Sequence, residues 1–192
     1  PDWIQWINGA NALGYQINWY VNIDVLNNLP FSYEDTETNL RNIISNYNIN
    51  LTVTRGEGNF FVACRRIANL MYEDLQKNTD IDDNNKHIFW LEDDWKQRLI
   101  LPVSDVLSFT NAAPQCCVNL TFIRPNYIHA LAPALLTFNL WKQLHYLAFN
   151  DTDNIQKNPD PEHCVGVYFI NRFFNNKIHV ENIYNLTIVN KK

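Results

Sequence analysis

Several absences narrow the reading before any motif is considered. The four cysteines, Cys64, Cys116, Cys117 and Cys164, never fall at C-x-x-C spacing, so a zinc ribbon or dithiol redox site has no framework. The adjacent pair Cys116-Cys117 is poorly placed to join one tetrahedral metal site. Buried, reduced thiols are the expectation. No G-x-S-x-G occurs, and neither Cys64 nor Cys164 carries a nucleophile signature, which leaves serine and cysteine hydrolases unsupported. Basic residues are too few for a phosphate-binding surface: 15 Lys and Arg stand against 20 Asp and Glu, a net charge of −5 with pI near 5.5. A nucleic-acid partner is therefore not expected. The longest uncharged run, Val106 to Ile123, contains Ser108, Asn111, Pro114, Gln115 and Asn119, and is too polar to span a membrane. Pro1-Asp2-Trp3 offers neither the basic start nor the apolar core of a signal peptide. A cytoplasmic protein is the expectation. The initiator Met is also missing, so residue 1 reads as a cut, with an upstream element of a longer protein outside the sequence.

What is present suits a folded α/β protein. The 192 residues are 46% apolar and 18% charged, which supports one domain with a sizeable core and argues against disorder. The 29 asparagines fit an AT-rich genome. Four of them (Asn50, Asn119, Asn150, Asn185) fall in N-x-Thr sequons, which are fortuitous without a secretory signal.

Along the chain, Gln16 to Asp24 reads as a strand, with Ile17, Trp19, Val21 and Ile23 alternating with Asn18, Tyr20, Asn22 and Asp24. Asp35 or Thr36 is predicted to cap a helix with the stripe Leu40, Ile43, Ile44 and Tyr47. Leu51 to Thr54 is a short β-branched strand. Beyond Gly56 and Gly58, a helix over about Asn59 to Gln76 turns Phe60, Ala63, Cys64, Ile67, Leu70 and Met71 inward. His87 to Leu91 lacks alternation and suits a strand buried on both faces of a parallel sheet. Trp19 and Trp90 read as core. This order predicts an α/β fold with helices on both faces. In the second half, Leu99 to Leu107 and Gln115 to Arg124 read as strands and Ala134 to Phe149 as a helix. A further helix is expected near Pro161, and Lys177 to Val189 has strand character.

The sharpest chemical signal is Glu92-Asp93-Asp94, placed directly after the buried strand. In open α/β sheets, ligands bind beyond the carboxyl ends of strands. Three neighbouring carboxylates repel unless a hard cation sits among them. Mg²⁺ or Mn²⁺ takes oxygen ligands and fills its remaining positions with water and phosphate oxygens. A bound diphosphate is the expected companion, and a solvated acidic turn is the plain alternative.

Leu91-Glu92-Asp93-Asp94-Trp95 resembles the D-x-D-type motif of nucleotide-sugar glycosyltransferases with the GT-A fold. The elements upstream follow the same order: a strand ending in Asp24, the Gly56/Gly58 turn, and the helix segment Ala63-Cys64-Arg65-Arg66. The likeness covers Gln16 to Trp95 well and the rest loosely. The strand that normally opens that fold is not found before Gln16. An Asn-rich composition is shared with glycosyltransferases of large DNA viruses, which would place the protein in a host cytoplasm.

The resemblance implies a GT-A-like, Rossmann-type, mostly parallel sheet flanked by helices over 1–192, with a nucleotide-binding half (1–98) and an acceptor-binding half (99–192). It implies a nucleoside-diphosphate sugar donor, a UDP-sugar favoured, and a glycan or other hydroxyl acceptor. Asp24 would contact the donor base or ribose, and Glu92 or Asp93 the ribose. Asp94, with Glu92, would hold Mn²⁺ or Mg²⁺. Arg65 or Arg66 would meet a phosphate or pack on the acidic motif, and Trp95 is a candidate for stacking on a sugar. The general base would come from Asn158-Pro159-Asp160-Pro161-Glu162-His163-Cys164-Val165-Gly166, with Glu162 first and Asp160 second. Pro161 breaks the acidic pair of the usual pattern, and acids beside a Pro also suit an ordinary helix start. His163 and His179 are candidates for a third metal ligand, and Asn126 to Leu136, with His129 and Pro133, for the acceptor side.

Two other readings compete. Gly56-Glu57-Gly58-Asn59-Phe60-Phe61 stands where a dinucleotide-binding turn would. However, Phe61 fills the position that needs Gly or Ala, and the acidic residue expected about 20 residues on falls in a hydrophilic loop. A glycosyltransferase-like domain that binds without turnover is the stronger alternative.

Overall fold

The computed structural model describes residues 2–25, 30–91, 95–97, 102–111, 113–120, 133–157, 179–182 and 187–189. Where no strand was found, the chain opens with a helix, α1 (Asp2–Ala12). Strand β1 (Ile17–Asp24) follows and pairs in parallel with β2 (Ile49–Gly56), from Ile17 opposite Ile49 to Asp24 opposite Gly56. Between them lies α2 (Tyr33–Ile44), capped by Ser32, whose Oγ accepts from the Asp35 amide at 3.0 Å. The cap is thus Ser32 rather than Asp35 or Thr36. Its predicted stripe is narrower than expected, since Ile44 is buried but Ile43 is 56% exposed.

Helix α3 (Phe60–Lys77) begins at Asn59, whose Oδ1 accepts from the Val62 amide at 3.1 Å. Cys64, Ala68 and Met71 are its buried residues. Phe60 was expected inside but is 52% exposed, and Phe61 packs on the core in its place. Trp19 is only half-buried, whereas Trp90 is buried as expected.

The remaining elements are β3 (His87–Trp90), β4 (Trp95–Gln97), α4 (Val103–Thr110), β5 (Cys116–Asn119), β6 (Ala134–Thr137) and α5 (Phe138–His145). After α5 come a π-helical turn (Tyr146–Asn150), α6 (Thr152–Lys157), β7 (His179–Asn182) and β8 (Thr187–Val189). Two predicted elements change type. The stretch read as a strand over Leu99 to Leu107 contains the start of helix α4, because Val103, Val106, Leu107 and Thr110 recur at helical spacing behind Pro102. The helix read from Ala134 starts four residues later, and Ala134–Thr137 is instead a fully buried strand. The helix expected near Pro161 lies outside the described residues.

Four strands form a mixed sheet in the order β3-β6-β5-β7. Strand β6 runs antiparallel to β3 and β5, and β5 runs parallel to β7. Among the described residues the strands thus make this sheet, the parallel β1–β2 pair and an antiparallel β4–β8 pair. They do not make one long parallel sheet. Correspondingly, β3 meets an antiparallel neighbour and alternates, with Ile88 and Trp90 buried and His87 and Phe89 half-buried.

The alternation builds a core on each face of the mixed sheet. On one face Ile88, Trp90, Cys117, Ala134 and Leu136 pack against Cys64, Ala68 and Met71 of α3 and against Phe138, Leu140, Trp141 and Leu144 of α5. On the other, Cys116, Val118, Leu120 and Leu135 pack with Trp6 of α1 and Val106 of α4. Helices therefore cover both faces. Each fully buried Leu or Phe adds about 1.5–3 kcal/mol of transfer free energy. Cys64, Cys116 and Cys117 are buried thiols outside any disulfide. Asn119 is fully buried, so its sequon cannot present a glycan in the folded chain.

Candidate functional site

Parallel pairing puts the carboxyl ends of β1 and β2 side by side, with Asp24 opposite Gly56 and Asn22 opposite Thr54. A polar cluster forms there. Asn22 Nδ2 donates to Asp24 Oδ1 at 2.8 Å. Asn22 Oδ1 in turn accepts from Thr54 Oγ1 at 3.0 Å and from Arg66 Nη1 at 3.1 Å. The same Arg66 nitrogen donates to the Arg55 carbonyl. Arg66 is placed by the first turns of α3, and α3 packs on β1. Further down the same face of β1, Tyr20 donates to Asp74 of α3. Burial and that neighbouring carboxylate raise the Tyr20 phenol well above its ordinary value.

Gly56 makes the cluster possible. A β-carbon at this position would overlap Asp24 Oδ1 and lie 2.5 Å from Asn22 Nδ2. Only glycine leaves room for both side chains to fold back over the end of β2. The Asp24 carboxyl is half-buried, and no described group takes its Oδ2.

Residues 30–32 and 57–59 lead into α2 and α3. Arg55 sits 5.1 Å over the Tyr33 ring and 3.7 Å from Glu34. Phe31 and Phe60 are 70% and 52% exposed there.

Of the predicted donor residues, Asp24 stands in this cluster. Arg65 does not: it is exposed on α3, without a hydrogen bond or ion pair among the described residues, and its neighbour Arg66 takes the place at the strand ends. Glu92, Asp93, Asp94, Asp160, Glu162 and His163 lie outside the described residues. What is described is the strand that leads to the acidic triplet. Trp90, its last residue, is buried with its ring 5.7 Å from that of Trp141. Trp95 opens β4 opposite Val189, and His179 opens β7 opposite Cys116. His129 is also outside the described residues, while Ala134, Leu135 and Leu136 are at most 5% exposed in β6 and cannot line an acceptor surface.

Asn22, Thr54 and the role of Gly56 escaped the sequence reading. The signal was present, because Asn22 and Asp24 are two residues apart on one strand face.

A recess of about 350 Å³ lies elsewhere, lined by Gln76, Thr79, Ile81, Asp82, Asp83 and Lys86. It sits at the amino end of β3, opposite the end that carries the acidic triplet. Its Asp83 and Lys86 are paired: Lys86 and, from α5, Lys142 each donate to Asp83 at 2.8 Å. These two lysines, Lys142 foremost, hold the Asp83 carboxyl below the ordinary range.

No group of His, Cys, Asp and Glu among the described residues is arranged to hold a metal, and the acidic triplet lies outside those residues. No described helix is long and apolar enough to cross a membrane. Compared with known proteins, the chain matches no family model and no curated sequence.

Proposed function

We propose that the protein is a metal-dependent glycosyltransferase that moves a sugar from a nucleoside-diphosphate donor to an acceptor hydroxyl with inversion. The observation that supports this reading best is the polar end of the β1–β2 pair. There a half-buried carboxylate, Asp24, is held at the carboxyl ends of parallel strands, where α/β proteins bind nucleotides. A GT-A-like arrangement, with the donor half in 1–98, is the finer fold reading that goes with it.

The donor set Glu92-Asp93-Asp94 is all carboxylate oxygen, which suits Mn²⁺ or Mg²⁺. Asp94 and Glu92 would hold the ion, which when bound offsets charge on the leaving diphosphate. Asp24 and Glu92 or Asp93 bind and orient the nucleoside. Glu162, with Asp160 second, takes the proton from the acceptor hydroxyl as its oxygen bonds to the anomeric carbon and the bond to the diphosphate oxygen breaks.

The test is a thermal-shift titration with UDP, GDP and NADH, each with Mn²⁺ or EDTA, on the native chain and Asp94→Ala. The expected result is a shift for a nucleoside diphosphate that needs Mn²⁺ and is lost in Asp94→Ala. A metal-independent shift with NADH alone would favour a dinucleotide enzyme instead. Glu162→Ala should keep the shift and lose about 10²–10⁴-fold in transfer rate. An unchanged rate would remove Glu162 as the base.

A further inference from the structure

We propose that the outward edges of β1 and β3 together accept one further β-strand, apolar on both faces, from a partner polypeptide.

Both edges can be read residue by residue. In a parallel pair such as β1–β2, alternate residues turn their N–H and C=O toward the neighbouring strand. Just past β1, the Val25 amide donates to the Gly56 carbonyl at 3.1 Å, and Thr54 Oγ1 donates to the Val21 carbonyl at 3.4 Å. Odd-numbered residues of β1 therefore face β2, and Asn18, Tyr20, Asn22 and Asp24 turn their backbone groups away from it. Beside β3, the Phe138 amide donates to the Lys86 carbonyl at 2.9 Å, in step with the β3–β6 register. Lys86, Ile88 and Trp90 thus face β6, which leaves His87 and Phe89 turned outward. Among the described residues, no strand pairs with either outward edge. Such edges are templates for strand addition, in which main-chain hydrogen bonds supply the affinity.

The two edges belong together. Tyr15, just ahead of β1, holds its ring 5.8 Å from that of His87, which opens β3. The amino ends of the two strands are therefore neighbours. Helix α3 spans both on one face. Tyr20 of β1 donates to its Asp74, and its Cys64, Ala68 and Met71 pack with Ile88 and Trp90 of β3. On the opposite face, α1 sets Trp3 and Trp6 against Phe89, with ring centroids 5.3 and 5.1 Å apart, and also touches β1. Yet β1 and β3 fall in separate sheets, and Ile17, Trp19, Val21 and Ile23 are only half-buried.

A strand added between β1 and β3 bonds to both ladders and joins the sheets in the order β2-β1-added strand-β3-β6-β5-β7. With helices over both faces, that strand must be apolar throughout, as doubly covered strands are. A second copy of this chain does not suit the role, because every strand among the described residues already lies in a ladder.

The experiment is NMR amide exchange and isothermal titration of the whole chain with a synthetic, lysine-flanked Val–Ile peptide about as long as β1. The control peptide carries proline at alternate positions, which removes N–H donors. In the free chain, the amides of Asn18, Tyr20, Asn22, Asp24, His87 and Phe89 should exchange about tenfold or more faster than those of Val21, Ile23, Ile88 and Trp90. The Val–Ile peptide should slow the first group about tenfold or more on both strands, and the proline peptide should slow neither. Asn18→Pro removes one outward N–H without touching the β2 ladder, and should weaken the peptide about five- to tenfold.

Outward amides already protected in the dilute free chain would mean that the edges are filled, which overturns the inference. Protection that rises with chain concentration would assign the edges to a second copy and overturns it too. So does peptide protection confined to one strand, or no binding of the Val–Ile peptide. Should Asn18→Pro fail to fold, the exchange pattern and the two peptides still decide. The glycosyltransferase reading stands or falls separately, on the nucleotide titration.

Discussion

His145 ties stability to pH through a single buried ring. It stacks on Tyr72 with ring centroids 4.4 Å apart and planes within 5°. Its Nε2 lies 2.7 Å from Asn69 Oδ1. An amide oxygen accepts, so Nε2 carries the proton, and Asn150 Nδ2 lies beside the ring, 3.4 Å from Nδ1 and 3.3 Å from Nε2. Burial of the neutral ring pushes the pKa down to about 4. Protons then bind the unfolded chain more readily. Stability from the neutral ring is complete above the ordinary value of 6.5 and is lost as pH falls from there toward 4. A shift of this size corresponds to a few kcal/mol, on the order of 3. Urea unfolding at pH 7 and pH 4.5 should show most of that loss in the native chain and a much flatter dependence in His145→Gln. Asp83, held low by Lys142 and Lys86, adds a loss of the same sign in a more acidic window, starting near its ordinary 3.8.

At the scale of elements, the local chemistry was legible and long-range diversions of it were not. Strand β1, strand β2 and helix α3 were readable because their apolar periods and the Gly56/Gly58 punctuation agree. Ser32 and Asn59 follow the same capping rules at α2 and α3. Ser32→Ala and Asn59→Ala should each cost about 1 kcal/mol in chemical denaturation. The misread junction at Thr137 has a different cause. Thr137 stands at the start of α5, yet its hydroxyl does not cap the helix. It donates to the Pro114 carbonyl at 2.9 Å and accepts from the Cys116 amide at 3.0 Å. A side chain diverted to a neighbouring strand leaves no trace in the local pattern. Thr137→Val keeps the shape and removes both bonds, and should destabilise by about 1–3 kcal/mol because the buried Cys116 amide loses its partner. The site was legible to the same degree. Asp24 at a strand end was visible, whereas Thr54 and Gly56 matter through register with a strand some 30 residues earlier, which no local pattern encodes.

At the scale of the whole molecule, a mixed sheet with a separate core on each face governs stability. Trp141 of α5, whose ring lies 5.7 Å from that of Trp90, is the largest fully buried side chain of the first core. Trp141→Ala should cost about 3–5 kcal/mol in a denaturant titration. Strand β5 separates the two cores, and its neighbouring cysteines face opposite ways: Cys117 joins the core under α3 and α5, Cys116 the one under α1 and α4. Both are fully buried, and burial pushes the Cys117 thiol up, which suppresses the reactive thiolate. An alkylating reagent can therefore reach either sulfur only when its own layer opens. The pair acts as two built-in clocks, one per layer, read by mass spectrometry of the modified peptides. Equal labelling rates at Cys116 and Cys117 would mark the layers as one cooperative unit, and unequal rates would identify the layer that opens first.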